Sequence, residues 1–296
     1  LGVLLLAMVT WFWVKTMLQP VADKIQKART IGAKSLNLRL NVKNDYDELG
    51  QLALTFNEML ERIEHGFSAQ QQFIRNASHE MRTPLTAITT EADLALQQSR
   101  TPENYRQALE KVREDAENLN ELMTRLLLMA SVEAKSNWAD QRCAADEALL
   151  AALQALQLRY SKASLQLQLE LDAPDAAHFL VRCDLSVLQT AFFNLLDNAV
   201  KYGNEQPVSV RLFPEGRSVC LEVKDQGIGI SVDEMEYVFE PFYRSQRSSH
   251  LSGSGVGLSL VKSIAEKYGG SIRIASELGR GTTARFVLPG TAPEKI

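Results

Sequence analysis

Between residues 68 and 130 the apolar side chains keep to a narrow stripe, and that spacing limits what the chain can fold into. Ile74, Met81, Ile88 and Ala95 recur every seven residues, as do Leu85 and Ala92. "SRTPEN" (99–104) interrupts the pattern, with Thr101 suited to cap a helix and Pro102 suited to its first position. Beyond it, Leu109, Val112, Ala116, Leu119, Met123, Leu126 and Ala130 fall at spacings of three and four. Both runs read as seams of the coiled-coil type. Two antiparallel helices with seams this narrow bury little by themselves. Pairing with a second copy into a four-helix bundle is the economical outcome, and a monomeric hairpin packed on the rest of the chain is the alternative.

Upstream the texture differs. Residues 1–14, "LGVLLLAMVTWFWV", are almost wholly apolar, with Trp11 and Trp13 near the far end and Lys15 just beyond. A full membrane span needs about 20 apolar residues, so the run is short. It has neither the leading basic residues nor the small-residue cleavage site of a signal peptide. The reading is a membrane helix over 1–17 truncated at its N-terminal side, and a buried soluble helix is the alternative. Lys15, Lys24, Lys27, Arg29, Lys34 and Arg39 follow it, which places the rest of the chain on the cytoplasmic side of a cell inner membrane. Residues 20–66 read as a helix opened by Pro20, a polar connector and a second helix, "QLALTFNEMLERI", which continues into the long helix of 68–98.

"SVEAKSNWADQR" (131–142) has no strong periodicity and reads as a linker. From about residue 143 the pattern becomes α/β. "SLQLQLELD" alternates as a half-buried strand does, helices are expected near 185–202 and 256–268, and "PVSVRLF", "RSVCLEVKD", "SIRIAS" and "TTARFVLP" read as strands. One layer of helices on a mixed sheet accounts for that order. The net charge of -4 and the lack of a basic stripe argue against direct nucleic-acid binding. Cys143, Cys183 and Cys220 are far apart in sequence and form no CxxC pair, which supports neither a zinc site nor a disulfide framework and fits a reducing compartment.

Three glycine clusters occur in the α/β region: "DQGIG" (225–229), "GSGVG" (253–257) and "GRGT" (279–282). Glycine lets backbone N–H groups approach a phosphate closely. No GxxxxGK[ST] is present, which excludes the usual P-loop. The helix "LQTAFFNLLDNAVKYG" sets Asn194 and Asn198 one turn apart on one face, where neutral oxygen donors suit Mg²⁺, and Lys201 follows as a cation for phosphate.

In their order along the chain, the asparagine helix, the DxGxG motif, "FEPFYR" (239–244), GxGxG and GxGT resemble the ATP-binding domain of sensor histidine kinases, within the gyrase/Hsp90-like ATPases. "ASHEMRTPL" resembles the phosphoacceptor box of the same kinases, and "DELG" after the apolar run resembles a HAMP relay domain. The resemblance implies a multi-domain chain. Its parts would be a partial membrane helix (1–17), a HAMP domain (18–67), a dimerising helical hairpin with the phosphoacceptor (68–133) and an α/β sandwich that binds ATP (141–291). It also implies a homodimer acting on a cytoplasmic response regulator.

Roles carry over by position. His79 would be the nucleophile, Glu80 its base, and Thr83 would orient water for dephosphorylation of the regulator. Asp225 would accept from the adenine amino group, with Gly227 and Gly229 leaving room and Tyr202 against the base. Asn198 would bind Mg²⁺ beside Asn194, and Lys201 and Arg244 would face phosphates. Gly253, Gly255 and Gly257 would hinge a lid over 244–252, and Thr282 closes the last glycine motif. Two other functions compete: a gyrase/Hsp90-like ATPase with His79 incidental, and a nucleotide-binding scaffold that transfers no phosphate.

The residues themselves bear on His79. At about 100° per residue it points roughly 120° to 180° away from Ile74, Met81, Leu85 and Ile88, so it should face solvent rather than a core. No cysteine or second histidine lies at ligand spacing, which argues against a metal. Thr83 shares its face, and Pro84 falls inside the helix, where it removes a backbone hydrogen bond.

Overall fold

In the computed structural model, residues 2, 6–13, 37–42, 48–97, 99, 101–133, 141–160, 167–171, 179–245, 247 and 253–291 are described. Two compact units divide the chain, Leu1–Arg75 and Asn76–Ile296.

In the first unit, residues 6–13 are helical, with Leu6, Trp11, Phe12 and Trp13 exposed. Among the described residues no helix is long and apolar enough to cross a membrane. Part of the expected membrane segment (1, 3–5 and 14–17) and the first expected HAMP helix lie outside the described residues. The extended segment around Leu40 lies against α1 (Glu48–Gln97), a helix of 50 residues. Asn57 on α1 makes the connection: its Oδ1 accepts from Leu40 N at 2.8 Å and its Nδ2 donates to Leu40 O at 3.0 Å. One side chain thus satisfies both backbone groups of Leu40, whose own side chain is buried, as are Ala53 and Leu60 on α1. Arg39 adds an ion pair to Glu64.

In the second unit, α1 from Asn76 onward and α2 (Pro102–Glu133) form the expected hairpin. Thr101 caps α2, its Oγ1 accepting from Asn104 N at 3.3 Å. The seam is only partly covered. Leu122, Leu126 and Met129 are buried, whereas Leu85 (53%), Leu109 (67%) and Met123 (45%) remain exposed in the single chain. An apolar row left open along a helix pair needs another surface to cover it.

The α/β part opens with a short antiparallel pair, β1 (Arg142–Ala144) with β3 (Leu180–Arg182), with α3 (Ala145–Arg159) following directly on β1. Sequence periodicity did not disclose these three elements. Strands of three residues are too short to display a period of two. α3, however, is built of strong helix formers (Ala, Leu, Gln, Glu), which is a legible signal. The main sheet has strand order β2-β4-β5-β7-β6. β2 (Leu167–Leu171) pairs parallel with β4 (Val208–Glu215), and β4, β5 (Ser218–Lys224), β7 (Gly281–Pro289) and β6 (Ser271–Glu277) pair antiparallel. The mixed sheet is the expected one.

Along β4 and β7 alternate residues (Val208, Val210, Leu212; Ala284, Phe286, Leu288) are buried under α4 (Leu185–Tyr202) and α5 (Gly257–Lys267). Phe192 of α4 meets Phe286 edge-on, with ring centroids 5.7 Å apart. All three cysteines are buried and free, and Cys143 of β1 hydrogen-bonds Cys183, just past β3 and distant in sequence. Lys267, at the end of α5, donates to Val132 O at 2.8 Å and so caps the last turn of α2.

The helix that carries the two asparagines is started by Asp184. Its Oδ1 accepts from Ser186 N at 2.8 Å and Val187 N at 3.2 Å. The Ser186 hydroxyl, and then these two N–H groups, hold the carboxyl below its ordinary range against the opposing effect of burial. A carboxylate with a lowered folded-state pKa stabilises the fold above its unfolded pKa and loses that contribution as pH falls. Asp184→Ala is therefore expected to cost about 1 kcal/mol at pH 7. Denaturant melts should show the gap to wild type narrowing below about pH 4, while Asp184→Asn retains most of the cap.

Candidate active site

Asp225, just past the end of β5, is buried, and its carboxylate ties its own loop to the start of β7. Oδ1 accepts from Gly227 N at 2.8 Å and Thr282 N at 3.2 Å, and Asp225 N donates to Thr282 O at 2.9 Å. Burial pushes the carboxyl up, and the two backbone donors pull against that shift. Gly227 sits directly under the last turn of α4. A Cβ there would collide with the Tyr202 carbonyl, to which Ile228 N donates at 3.1 Å. Only glycine permits that approach, so the DxGxG motif locks the β5 loop beneath the asparagine helix.

Above Asp225 lies a slot of about 130 Å³, walled by Leu195, Ala199, Val223, Ile228 and Ile274, with Tyr202, Arg244 and Thr282 also lining it. A buried acidic acceptor, Asp225, among largely apolar walls, with Glu234 also on the lining, suits a flat heteroaromatic ring bearing an amino group. Asn198 and Tyr202 also line a second, open cleft of about 760 Å³, which continues to Lys201 and the Gly253–Gly257 loop and, on the hairpin, to Glu80, Thr83 and Pro84. The two cavities meet at Asn198 and Tyr202.

Lys201 stands in the cleft with its ammonium 4.8 Å from the Tyr202 ring centre. Burial pulls it down to about 8, with Asp197 opposing and the Arg244, Arg159 and Arg125 charges adding to the fall. Beside it, Ser254 Oγ is buried with no hydrogen-bond partner among the described residues. A desolvated cation and an unmatched hydroxyl next to glycines at φ +153° (Gly253) and +70° (Gly255) make a fitting surface for phosphate oxygens. Gly255 also anchors the preceding loop, its carbonyl accepting from Phe242 N at 3.0 Å.

Asn194 lines neither cavity. Its Nδ2 donates to Thr190 O at 2.7 Å, and its Oδ1 lies beneath Gly257, where a Cβ would come within 2.9 Å. It packs against the glycine loop rather than opening beside Asn198. Arg244 lines the apolar slot rather than the cleft. The Gly229 backbone lies against Glu277 O and also lines the slot. Thr282 Oγ1 pairs with Ser276 Oγ at 2.9 Å, leaving its N–H for Asp225. Most of the expected lid (246, 248–252) lies outside the described residues.

On the hairpin, His79 is exposed, as its angular position requires, and lines neither cavity. Thr83 Oγ1 donates to His79 O at 3.3 Å, one turn back on the same face. No cluster of three His, Cys, Asp or Glu side chains able to hold a metal occurs among the described residues. Arg159 and Tyr160, which no sequence motif marked, also line the cleft. Their position follows from α3, the element the periodicity did not disclose.

Comparison with known proteins divides the chain in the same order. A HAMP domain model matches residues 14–65, a His Kinase A (phospho-acceptor) domain model 69–135, and a histidine kinase-, DNA gyrase B- and HSP90-like ATPase model 183–292. The sensor histidine kinase YkoH of Bacillus subtilis is 34% identical over 239 residues, covering 80% of this chain and 51% of its own. The signal transduction histidine-protein kinase ArlS of Staphylococcus aureus is 26% identical over 97% of this chain and 64% of its own. The chain thus spans about half to two thirds of the length of these relatives. Among solved structures, histidine kinase ThkA in complex with response regulator TrrA matches 86% of this chain and 70% of its own at a TM-score of 0.59 and 21% identity, a likeness of fold.

The low Lys201 pKa yields a pH test of the phosphate surface. A polyphosphate bound beside Lys201 favours its charged form, so binding takes up a proton above about pH 8 and the affinity falls as pH rises from 7 to 9. Calorimetric titration with a non-hydrolysable ATP analogue should show that slope in wild type and its loss in Lys201→Met.

Proposed function

We propose, on the premise that this chain belongs to the two-component sensor histidine kinases, that it autophosphorylates His79 with ATP and passes the phosphoryl group to an aspartate of a cytoplasmic response regulator. The observation that carries this reading is the single cleft that Glu80 and Thr83 of the hairpin share with Asn198, Lys201 and the Gly253–Gly257 loop. It supports a catalytic centre made from both parts of the second unit, with the nucleotide bound in one and the acceptor on the other. The domains assigned are HAMP over 18–67, the phosphoacceptor hairpin over 68–133 and the ATP-binding domain over 141–291.

In this mechanism the adenine occupies the apolar slot with its amino group on the Asp225 carboxylate, and Tyr202 closes one side. The triphosphate runs into the cleft, where Lys201, Ser254 and the glycine-loop N–H groups receive it. Asn198 is the protein ligand assigned to Mg²⁺, which when bound neutralises phosphate charge and fixes the chain of phosphates for in-line displacement. One imidazole nitrogen of His79 attacks the γ-phosphorus; the N–P bond forms as the bond to the ADP oxygen breaks, and Glu80 accepts the proton from the other nitrogen. An exposed imidazole one turn from the cleft suits this role, since the reaction asks the protein mainly for positioning and charge neutralisation. The same histidine is then open to a regulator. In the reverse duty, Thr83 holds the water that hydrolyses the regulator's acyl phosphate.

The open seam residues Leu85, Leu109 and Met123 support a homodimer in which a second hairpin covers them. The apolar, Trp-bearing N-terminus followed by a HAMP match supports anchoring in the inner membrane, with the described domains in the cytoplasm.

The decisive assay is labelling from ATP radiolabelled in the γ-phosphate. Wild type is expected to acquire an acid-labile, base-stable label that His79→Gln lacks. ATP hydrolysis with no protein label would instead select the ATPase reading, and nucleotide binding with neither would select the scaffold. Thr83→Ala should keep autophosphorylation within about twofold and slow dephosphorylation of the regulator at least tenfold; equal loss of both would refute the division of roles.

A further inference from the structure

One guanidinium in the second unit serves two carboxylates that belong to different parts of it. Arg159, the last residue of α3, places Nη1 3.0 Å from Glu121 Oε2 on hairpin helix α2. Its Nε lies 3.6 Å from Asp197 Oδ1 on α4. The neighbouring Tyr160 hydroxyl donates to the same Asp197 oxygen at 3.0 Å, and Arg125 of α2 reaches Glu121 at 3.5 Å. Asp197 is 8% exposed, immediately precedes Asn198 and stands one turn before Lys201. A buried anion so close to a polyphosphate site needs neutralising; Arg159 supplies the charge and Tyr160 a hydrogen bond. Burial works against the Arg159 charge, yet Asp197 and Glu121 outweigh it and leave the guanidinium more firmly protonated than usual.

The Asp197 arm and the Glu121 arm do different things. The first stays within the α/β part; the second crosses to the hairpin. The arrangement the crossing arm holds sets the cleft against Glu80, Thr83 and Pro84, while His79 lies outside it. Transfer requires His79 to come in line with the γ-phosphate, so the held arrangement is a resting one.

We propose that Arg159 is a positioning residue which, by bridging Asp197 and Glu121, latches the ATP-binding part onto hairpin helix α2 in a resting arrangement, and that release of the Glu121 arm precedes phosphorylation of His79. This rests on the kinase reading above. The Glu121 carboxylate is half exposed, so its pairing is weak enough to open on each cycle. A lysine at 159 would not replace the arginine, because a single ammonium lacks the fork that reaches both carboxylates.

Glu121→Gln removes the crossing arm, together with the Glu121–Arg125 pair inside α2, leaves the Asp197 arm in place, and tests the latch in two ways. The initial rate of His79 labelling at saturating ATP is expected to rise about two- to fivefold with the KM for ATP within twofold of wild type. The rise should shrink as salt is added, since salt weakens the latch in wild type, and it should vanish in an Arg159→Gln background, where no arm remains to break. Independently of any labelling, nitroxides on Glu110→Cys of α2 and Lys262→Cys of α5 should give a longer or broader distance distribution in the Glu121→Gln chain than with Glu121 intact. An unchanged or lower labelling rate, a rise that persists without Arg159, or identical distance distributions each overturns the latch. Wild type that does not label at His79 sinks the kinase reading instead, and the distance measurement still decides whether the bridge holds the two parts together.

Discussion

The carboxylate of Asp225 is the contact on which the rest of the site depends. It is a buried charge, and such a group is tolerated only where hydrogen-bond donors converge on it. Here the donors are backbone N–H groups of Gly227 and Thr282, which come from two separate glycine motifs. Satisfying one anion therefore draws the β5 loop and the start of β7 to a single point. The absence of a side chain at Gly227 lets α4 settle directly on that point. Gly279 N adds a bond to Ile228 O at 2.8 Å, closing the third motif onto the first. Without the glycines the anion would lack its donors, and without the anion the loops would lack a reason to converge.

Helix α4 converts this anchor into a working surface. Its inner face supplies Leu195 and Ala199 to the apolar slot, its end supplies Tyr202 to both cavities, and Asn198 and Lys201 look into the cleft that reaches the hairpin. The same helix carries Phe192 against Phe286, so the position of Asn198 and Lys201 is set by core packing against the sheet. Asp184 fixes where the helix begins, and hence which residues fall on each face. On the other side of the cleft, Lys267 capping α2 and Arg159 bridging to Glu121 bind the α/β part to the hairpin through polar contacts. Contacts of that kind hold an arrangement and can also release it.

Features set by local patterns were readable from the residues alone. The heptad spacing gave the hairpin, and Thr101 stands at the cap that "SRTPEN" advertises. His79 faces solvent as its angle from the seam demanded. Features set by three-dimensional packing were not readable. Asn194 and Asn198 share a face by spacing, yet one is drawn beneath Gly257 and bonded to its own helix while the other opens to the cavities. The helical wheel cannot separate them, because the difference is made by the loop that packs on top. Arg159 and Tyr160 escaped notice because their partners lie far off in sequence, and Cys143 and Cys183 meet only because two three-residue strands happen to pair. Arg244, the last residue of "FEPFYR", lines the slot, and its charge is felt at Lys201.

The central claim is that the Asp225 anchor and helix α4 together form one nucleotide-binding surface reaching from the apolar slot to the glycine loop. Amide hydrogen exchange with and without a non-hydrolysable ATP analogue and Mg²⁺ tests it most directly, because it reads each segment separately. The account predicts that the nucleotide slows exchange together at 225–229, 253–257 and 279–282 and at the C-terminal turn of α4. Protection confined to other segments, or none at these four, would contradict it.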